Sequence, residues 1–261
     1  MDQEEFYKKL KLKQEDLVIT IEDNITKKKI KFNIVNKKTL WRAQTLYSKE
    51  PITIEWIRKF EKNKIFYDVG ANIGVYSIFG SIISDVKVFS FEPEINNFYI
   101  LNKNILLNKL NQSVSTFLIG INNETTFTKL HLGENETGGS HHFVGESALD
   151  HNLKQRKIVN YQNIFSISLD DLCKKWNFPI PNYLKIDVDG IENQIIEKSD
   201  FILSSKKLES ILIEINSNRE EDNNIISKLN KYNFKFDNDQ VQTSMRKIGR
   251  HKGYAEYLFY R

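Results

Sequence analysis

The sequence predicts an α/β fold in which helices cover both faces of a mostly parallel sheet. From Lys64 onward, short apolar segments typical of strands alternate with segments that have helical periodicity. A glycine-containing turn follows the first of these apolar segments, and an acidic residue follows the second. Because strands that are separated by helices usually pair in parallel, this alternation indicates a layered α/β domain. With 261 residues, of which 40% are hydrophobic, the chain can form one such domain and an extension.

Residues 1–63 are predicted to form an N-terminal extension. Apolar and polar residues alternate over 17–21 and 29–34, and a turn-prone segment at 22–24 separates them, which predicts a β-hairpin. Residues 53–60 have the pattern of a short helix that leads into the first strand of the main domain. We therefore expect the extension to consist of a hairpin and a helix.

The main domain is predicted to span residues 64–261. Its strands are predicted at 64–69, 86–91, 114–119, 182–188, 208–215, 232–236 and 255–260. Its helices are predicted at 74–83, 95–108, 168–176, 190–198 and 219–230. Residues 237–254, which precede the last strand, show no clear helical pattern.

One segment of the main domain is less regular. Residues 127–132 alternate like an edge strand, and the polar segment 133–163 that follows them contains four glycines. Irregular segments of this length inside a compact domain usually form lids or binding loops. We therefore expect 133–163 to be an insertion loop that covers a binding site.

The turn after the first strand is typical of α/β proteins that bind a nucleotide. The segment Asp68–Gly74 places two glycines between a strand and a helix, where the backbone can pass close to a ligand. The second strand ends at Glu92, whose carboxylate can accept hydrogen bonds from both hydroxyls of a ribose. Together the two features indicate a cofactor that contains adenosine, and an ordinary tight turn is the alternative.

The spacing of the glycines indicates which cofactor is bound. Dinucleotide-binding proteins use the pattern G-x-G-x-x-G, which seats a pyrophosphate at a helix N-terminus. Here Gly70 and Gly74 have the pattern G-x-x-x-G, and Asp68 precedes them. The carboxylate of Asp68 would repel a pyrophosphate but could attract the ammonium group of an amino acid. The pattern therefore favours S-adenosylmethionine, which has an amino-acid tail and a sulfonium cation, over NAD.

The fourth predicted strand contains ionisable residues that are unusual in a buried position. Side chains alternate along a strand, so Lys185, Asp187 and Asp189 project to one face. Because burial of an unpaired charge is costly, these residues either form a buried ion pair or line a cavity. Asp187 lies near the C-terminal end of the strand, where open α/β sheets bind ligands. Glu192, in the first turn of the next helix, could cap that helix or bind a ligand.

Four segments of the chain resemble the FkbM family of S-adenosylmethionine-dependent methyltransferases. They are Asp68–Ser77, Phe91–Pro93, Leu101–Asn108 and Leu184–Glu192, which follow one another within residues 53–216. Many methyltransferases share the first two segments, but few combine them with the pattern K-I-D-V-x-G-x-E of the fourth. The N-terminal hairpin and the histidine-containing loop lie where such families vary, so the resemblance implies nothing about them.

The resemblance implies a class I methyltransferase fold, which is Rossmann-like. Such a fold has a seven-stranded sheet in the order three-two-one-four-five-seven-six, with the seventh strand antiparallel. The resemblance also implies S-adenosylmethionine at the strand tips and O-methylation as the reaction, commonly of sugar hydroxyls in polysaccharides, glycolipids and natural products. The residues that we expect to bind this cofactor are Asp68, Gly70, Ala71, Asn72, Gly74, Ser77, Glu92, Pro93, Gly120 and Asp187.

Methyl transfer to a hydroxyl needs a group that aligns the acceptor oxygen and takes its proton. The candidates for this role are Asp187, Lys185, His141 and His142. Histidine has the most suitable unperturbed pKa, although a histidine in a polar loop is more often a solvated surface residue. Glu214, near the end of the fifth strand, reaches the same edge of the sheet and is a further candidate for contact with the substrate.

The same edge of the sheet could hold a divalent metal. Asp187, Asp189 and Glu192 have carboxylate oxygens, which Mg²⁺ and Mn²⁺ prefer as ligands. A metal at this position would acidify the acceptor hydroxyl. The spacing supplies two or three ligands at most, so the sequence permits a metal without requiring one.

Composition limits the partners and the compartment. The chain has 38 Lys and Arg and 34 Asp and Glu, and the lysines are spread rather than concentrated in a stripe, so we expect no nucleic acid partner. A small-molecule or glycan acceptor is expected instead. The single cysteine, Cys173, excludes an internal disulfide and fits a reducing compartment. We see neither a signal-peptide pattern nor an apolar run of membrane-spanning length, so we expect a cytoplasmic protein.

The sequence favours an S-adenosylmethionine-dependent O-methyltransferase that acts on a carbohydrate or a glycosylated small molecule. One alternative is an RNA or protein methyltransferase. The lack of a basic stripe argues against RNA, and the lack of an Asn-Pro-Pro-Tyr-type motif after the fourth strand argues against methylation of exocyclic amino groups. Another alternative is a module that binds the cofactor without catalysis. The presence of Asp68, Gly70, Gly74, Glu92 and Asp187 together argues against that alternative.

Overall fold

The computed structural model describes residues 2–5, 7, 17–133, 135–140, 142–144, 158–188, 190–249 and 252–261. Its strands are β1 (Leu17–Glu22), β2 (Lys29–Ile34), β3 (Ile65–Val69), β4 (Lys87–Phe91), β5 (Val114–Phe117), β6 (Gly120–Ile121), β7 (Thr126–Leu132), β8 (Phe143–Val144), β9 (Asn160–Ile167), β10 (Tyr183–Ile186), β11 (Ser210–Asn216) and β12 (Tyr254–Tyr260). Its helices are α1 (Lys37–Gln44), α2 (Pro51–Arg58), α3 (Val75–Ser84), α4 (Ile95–Leu107), α5 (Leu169–Lys174), α6 (Glu192–Glu197), α7 (Asp200–Ser204), α8 (Glu220–Lys231) and α9 (Asn238–Ser244).

The central sheet has the strand order β5-β4-β3-β10-β11-β12. The first five of these strands are parallel, and β12 pairs antiparallel with β11. Counted along the predicted strands, this order is three-two-one-four-five-seven, so the predicted α/β class and its order are confirmed over these six strands. The two large hydrophobic clusters of the protein pack around this sheet.

The predicted strand at 232–236 differs in the structure. Among the described residues, this segment pairs with the sheet only through a single antiparallel bridge between Lys235 and Tyr260. Helix α8 continues to Lys231, and Asn233 turns the chain with a φ of +66°. Phe234 then enters the core and is fully buried. Little extended chain is left at 232–236, so this segment adds no strand, and the sheet has six strands among the described residues where the sequence predicts seven.

Helices α1, α7 and α9 are absent from the sequence prediction because each buries few apolar side chains. Helix α9 buries only Val241, and α1 buries only Thr39 and Ala43. Helix α7 is a short turn that buries Ile202 and Leu203. Each of these segments therefore has few apolar side chains from which a helix could be predicted. Throughout the part of the chain that the structure describes, no helix has the length and apolar character that crossing a membrane requires.

The N-terminal extension is fixed against the main domain. The predicted hairpin forms from β1 and β2, and α2 lies close to the predicted helix. Phe32 of β2 is fully buried, and the backbone N–H of Asn33 donates to Oδ1 of Asn104 in α4 at 2.7 Å. The indole N–H of Trp56 donates to Oγ of Ser210 at 2.8 Å. These contacts give α1, which lies between β2 and α2 in the chain, a defined position.

A second sheet with the order β6-β9-β7-β8 lies in the region of the predicted insertion loop. Strand β7 covers the predicted edge strand at 127–132, and it pairs antiparallel with β9. The prediction of an irregular segment over 133–163 is therefore wrong at β8 and at residues 160–163, which open β9. The sequence does not show this strand because its first four residues include Asn160, Gln162 and Asn163.

Candidate active site

A cavity of about 510 Å³ lies at the carboxyl ends of β3, β4, β10 and β11. Open α/β sheets bind ligands at this edge, and the volume is within the range of small-molecule sites. The strand ends and the turns after them contribute Val69, Gly70, Asn72, Phe91, Glu92, Pro93, Asn97, Gly120, Ile121, Asp187, Val188, Ile191 and Glu214. The N-terminal extension contributes Trp41, Arg42, Lys49 and Glu50, and the remaining wall includes Leu130, Gly139, Ser140, His142, Val144, Arg246, Ile248 and Gly249.

The turn after β3 brings the backbone of three strands together. The N–H groups of Gly70 and Ala71 both donate to the carbonyl oxygen of Phe91 at 3.0 Å. Gly70 has a φ of +82°, and a Cβ at this position would lie 1.9 Å from the carbonyl oxygen of Asp187. Only glycine fits such a close approach. The turn therefore fixes the tips of β3, β4 and β10 at the floor of the cavity.

Glu92 lies at the tip of β4 with its carboxylate fixed by backbone donors. The N–H of Asn72 donates to Oε2 at 2.8 Å, and the N–H of Glu94 donates to Oε1 at 2.9 Å. Burial raises the pKa of Glu92 to about 7, against the lowering effect of these two N–H groups and of Arg42. Each carboxylate oxygen can accept a further hydrogen bond. The geometry fits two ribose hydroxyls as donors.

Asp68 lies behind the cavity wall rather than on it. The hydroxyl of Ser77 is 2.5 Å from Oδ2 of Asp68 and 2.7 Å from the hydroxyl of Ser90. Among the described residues, none makes a hydrogen bond to Oδ1 of Asp68, and burial raises the pKa of this carboxyl. Asp68 therefore holds Ser77, in the first turn of α3, by a hydrogen bond. It does not line the cavity, so the structure does not place it in direct contact with an amino-acid tail.

The first residues of the predicted insertion loop lie against the cofactor turn. The side-chain amide of Asn72 donates to the carbonyl oxygen of Gly139 at 2.7 Å. Asn97 of α4 contacts the same segment, because its Oδ1 accepts from the N–H of Gly138 at 2.7 Å. On the other side, Nε of Arg42 donates to the carbonyl oxygen of Gly138 at 2.5 Å. Residues 138–139 are therefore held between the main domain and helix α1.

Lys185 and Asp187 form an ion pair in which Nζ and Oδ2 are 2.9 Å apart. Lys185 is 2% exposed, whereas one third of the Asp187 side chain is exposed and lines the cavity. Burial alone would lower the pKa of Lys185, but the carboxylates of Asp187, Glu50 and Asp68 outweigh it and raise that pKa. Burial likewise opposes ionisation of Asp187, but Lys185 and Lys49 hold its pKa well below the usual range. The ion pair therefore joins a buried cation, Lys185, to a carboxylate that faces the cavity, Asp187.

Glu50 brings a carboxylate from the extension to the same cluster. It is 5% exposed, precedes α2 and pairs with Lys49. Burial opposes its ionisation, but Lys49 and Lys185 lower its pKa overall. Nearby, Thr53 is 2.5 Å from Oε1 of Glu256, whose pKa is raised to about 7 by burial and then by Glu50. The extension therefore takes part in the charge balance around Lys185.

Glu214 lies on β11 and faces the cavity from the opposite side. Its Oε1 is 2.6 Å from a terminal nitrogen of Arg246. Burial raises the pKa of Glu214 to about 8, the charge of Asp187 adds to this effect, and Arg246 opposes it. A carboxyl with a pKa near neutrality can exchange a proton at physiological pH. Glu214 is therefore a candidate acid–base group on the side of the cavity where Asp187 lies, whereas the carboxylate of Glu92 is held by backbone N–H groups at the tip of β4.

The structure brings together most of the predicted site residues. Of the predicted cofactor residues, Gly70, Asn72, Glu92, Pro93, Gly120 and Asp187 line the cavity, whereas Asp68, Ala71, Gly74 and Ser77 do not. Of the predicted catalytic residues, Asp187, Glu214 and His142 line it, and Lys185 lies beneath it. His141 and Asp189 lie outside the described residues.

The predicted metal site is described only in part. Oε1 of Glu192 accepts from the N–H of Val188 at 3.3 Å, and Oδ2 of Asp187 is bound to Lys185. Within the described ranges, no three His, Cys, Asp or Glu side chains are grouped so that they could hold a metal ion. The donors that are described do not fit a metal centre, and with Asp189 outside these ranges the metal stays a prediction.

Sequence reasoning missed the wall that the extension contributes. Trp41, Arg42, Lys49 and Glu50 lie far from the motifs in the chain, and no spacing relates them to the glycine turn. Arg246 was missed in the same way, because it follows α9, which has little helical pattern. The one usable signal was the Trp41-Arg42 pair, a large aromatic beside a cation in a short polar helix.

The strand order, the glycine turn and the acidic residue at the tip of β4 define a class I S-adenosylmethionine-dependent methyltransferase. Residues 68–236, more than half of the chain, match the family described as Methyltransferase FkbM domain. The chain belongs to this family, and the predicted family, enzyme class and cofactor are confirmed.

Similar proteins include a curated relative and several solved structures. The Hexuronic acid methyltransferase AglP of Haloferax volcanii is 22% identical over 187 residues, which cover 72% of this chain and 70% of that protein. The structure of Pyrococcus horikoshii TYW2 in complex with MeSAdo is 14% identical with a TM-score of 0.47, covering 94% of this chain and 70% of that one. The structure of M. capricolum TrmK with S-adenosyl-homocysteine is 14% identical with a TM-score of 0.45, and the match covers 79% of this chain and 66% of that one.

Proposed function

We propose that this methyltransferase transfers the methyl group to a hydroxyl of a sugar. The observation that carries the proposal is that Trp41, 47% exposed, lines the same cavity as the carboxylates of Asp187 and Glu214. An exposed aromatic ring can pack against the apolar face of a sugar, and carboxylates can accept hydrogen bonds from its hydroxyls. The curated relative described above, a hexuronic acid methyltransferase, supports the same substrate class.

The residues of the glycine turn and of β4 would hold the cofactor. Glu92 would bind the ribose hydroxyls, and Gly70 would let the backbone approach the ligand. When it is bound, S-adenosylmethionine supplies a methyl group that its sulfonium already activates. The protein must then align the acceptor oxygen and accept its proton.

We assign Glu214 as the base that accepts the proton of the acceptor hydroxyl. Asp187 is held ionised by Lys185, and a carboxylate whose pKa is so low is a weak base. Glu214, whose pKa is raised to about 8 by burial and by Asp187, is a much stronger base once it is ionised. Arg246, 2.6 Å away, stabilises its ionised form. The rate of methyl transfer is therefore expected to rise with pH as Glu214 ionises and to level off above about 8.

A release assay for S-adenosyl-homocysteine tests the proposal. The protein is incubated with S-adenosylmethionine and, in separate reactions, neutral sugars, uronic acids, an RNA transcript and unfolded casein. We expect turnover with at least one sugar, and the Glu214→Gln variant is expected to lower it about 10²–10⁴-fold and to abolish the rise with pH. Glu209→Gln is the matched control, because Glu209 pairs with Lys64 on the surface at the other end of the sheet.

Two results would contradict the proposal separately. Turnover with RNA or casein but with no sugar would overturn the substrate class and favour the alternative methyltransferases. Sugar turnover that Glu214→Gln leaves within a factor of three of the wild type would overturn the assignment of the proton acceptor. Where a sugar is turned over, the mass of the product shows that the sugar has gained a methyl group.

A further inference from the structure

The cations of the cavity differ in whether they have a carboxylate partner. Lys49 pairs with Glu50, and Arg246 pairs with Glu214 at 2.6 Å. Beneath the floor, Lys185 pairs with Asp187 at 2.9 Å. Arg42 lines the cavity and forms no ion pair with any residue that the structure describes. Among the described residues that line the cavity, Arg42 is therefore the Lys or Arg side chain whose charge is available to a ligand.

The side chain of Arg42 is held in place through its Nε atom. Its Nε donates to the carbonyl oxygen of Gly138, and the N–H of Gly138 is bound in turn by Asn97 at 2.7 Å. The two terminal nitrogens of the guanidinium are not used in this contact. A guanidinium that is fixed through Nε can still present its terminal N–H groups to a carboxylate, which is its preferred planar partner.

Arg42 lines the same cavity as Glu92 and Asp187, which mark the two ends of the expected cofactor position. Its positive charge acts on the carboxyl of Glu92, at the tip of β4, and on that of Asp187, after β10. The ribose is expected at Glu92 and the reacting methyl group near Asp187. The methionyl tail of S-adenosylmethionine extends from the same sulfur as the methyl group, so its carboxylate can lie within reach of Arg42.

The surroundings favour a cation beside such a tail. Glu50, Glu92 and Asp187 all line the same cavity, and each would repel an approaching carboxylate while it is ionised. A cation without a carboxylate partner would therefore stabilise a ligand carboxylate in this cavity.

We propose that Arg42 binds the α-carboxylate of the methionyl tail of S-adenosylmethionine, so that the N-terminal extension completes the cofactor site. The inference rests on the proposed position of the cofactor at Glu92, but not on the acceptor being a sugar. Trp41, the neighbour of Arg42, then faces the acceptor from the same helix. The extension thereby couples binding of the cofactor to the shape of the acceptor site.

Calorimetric titration with two ligands tests this inference without any turnover. S-adenosyl-homocysteine has the tail, and 5′-methylthioadenosine has the same adenosine and sulfur but no amino-acid group. We expect Arg42→Gln to weaken binding of S-adenosyl-homocysteine about 10–100-fold, the effect of one charge-assisted hydrogen-bonded pair. Its binding of 5′-methylthioadenosine is expected to stay within twofold of the wild type, which also shows that the variant is folded.

Two further variants distinguish the contribution of the tail to binding from that of the adenosine. Arg246→Gln removes a cavity cation that already has a partner, and it should leave the ratio of the two affinities unchanged. Glu92→Gln should weaken both ligands by the same factor. The proposal is overturned if Arg42→Gln weakens neither ligand, or weakens both equally. If Glu92→Gln affects neither ligand, the cofactor does not lie at Glu92, and both the cofactor position and the role of Arg42 are wrong, whatever the sugar assay shows.

Discussion

The two walls of the cavity are built in different ways. The wall at the glycine turn, formed by Gly70, Asn72 and Glu92, depends on backbone groups, because N–H donors fix Glu92 and only a glycine fits beside Asp187. The wall from the extension depends on the side chains of Trp41, Arg42, Lys49 and Glu50, and two of these form an ion pair. A wall made by the backbone leaves a local pattern in the sequence. A wall made by side chains from a distant segment does not.

The walls meet at Asp187, where we expect the largest effect on catalysis. Asp187→Asn keeps the shape of the side chain but removes the charge that pairs with Lys185 and that raises the pKa of Glu214. Turnover is expected to fall about 10²-fold or more, because the acceptor oxygen loses a group that aligns it beside the methyl group. The midpoint of the pH–rate profile should move below 8, since burial, Glu50 and Glu192 still raise the pKa of Glu214 but the charge of Asp187 no longer does. A pH series of initial rates measures both effects.

The outcome for Asp187→Asn also separates a catalytic from a structural role. Near wild-type turnover with a lowered melting temperature would show that Asp187 serves only the buried ion pair. A chelator added to the wild type tests the predicted metal in the same assay. Loss of activity that Mg²⁺ or Mn²⁺ restores would assign Asp187, Asp189 or Glu192 as ligands.

A pair of glycine substitutions tests whether the glycine-turn wall depends on its backbone. Gly70 and Gly249 both have a φ of +82°, so alanine brings similar conformational strain to both, about 1–2 kcal/mol. A Cβ at Gly70 would also lie 1.9 Å from the carbonyl oxygen of Asp187, whereas a Cβ at Gly249 meets nothing within 4 Å. Gly70→Ala should therefore lower the free energy of unfolding by about 1–3 kcal/mol more than Gly249→Ala.

Urea unfolding of the two glycine variants measures this difference. Binding of S-adenosyl-homocysteine should be lost in Gly70→Ala, because the tips of β3 and β10 must move apart, and should persist in Gly249→Ala. Equal losses of stability would show that the close approach at Gly70 is not required by the fold.

A smaller effect is expected from Glu92. Glu92→Gln should weaken S-adenosyl-homocysteine binding by about 1–3 kcal/mol, the contribution of hydrogen bonds to a charged group. Its pKa of about 7 in the free protein adds a pH dependence. The ionised carboxylate is the form that accepts from both ribose hydroxyls, so binding should weaken as the pH falls below about 7, roughly tenfold between pH 8 and pH 6. Calorimetry at these two pH values measures this change, and the Gln variant should not show it.

The difference between the two walls also explains what the sequence could predict. Gly70 and Glu92 were found because each follows a predicted strand. The alternation of strands and helices predicts a parallel sheet, in which both residues lie at the same edge. Lys185 and Asp187 were found because charges in a buried strand need a partner, and the structure pairs them with each other. Arg42 was not found, because its position at the cavity depends on the packing of the hairpin against α4 through contacts such as Asn33 with Asn104. Contacts between such distant segments have no periodicity in the sequence.

Both walls are expected to contact one molecule of the cofactor. A crystal structure of the protein with S-adenosyl-homocysteine would show whether they do. We expect both ribose hydroxyls within hydrogen-bond distance of Glu92 and the tail carboxylate within hydrogen-bond distance of the terminal nitrogens of Arg42. Adenosine bound away from Glu92, or a tail that points away from the extension, would contradict this expectation.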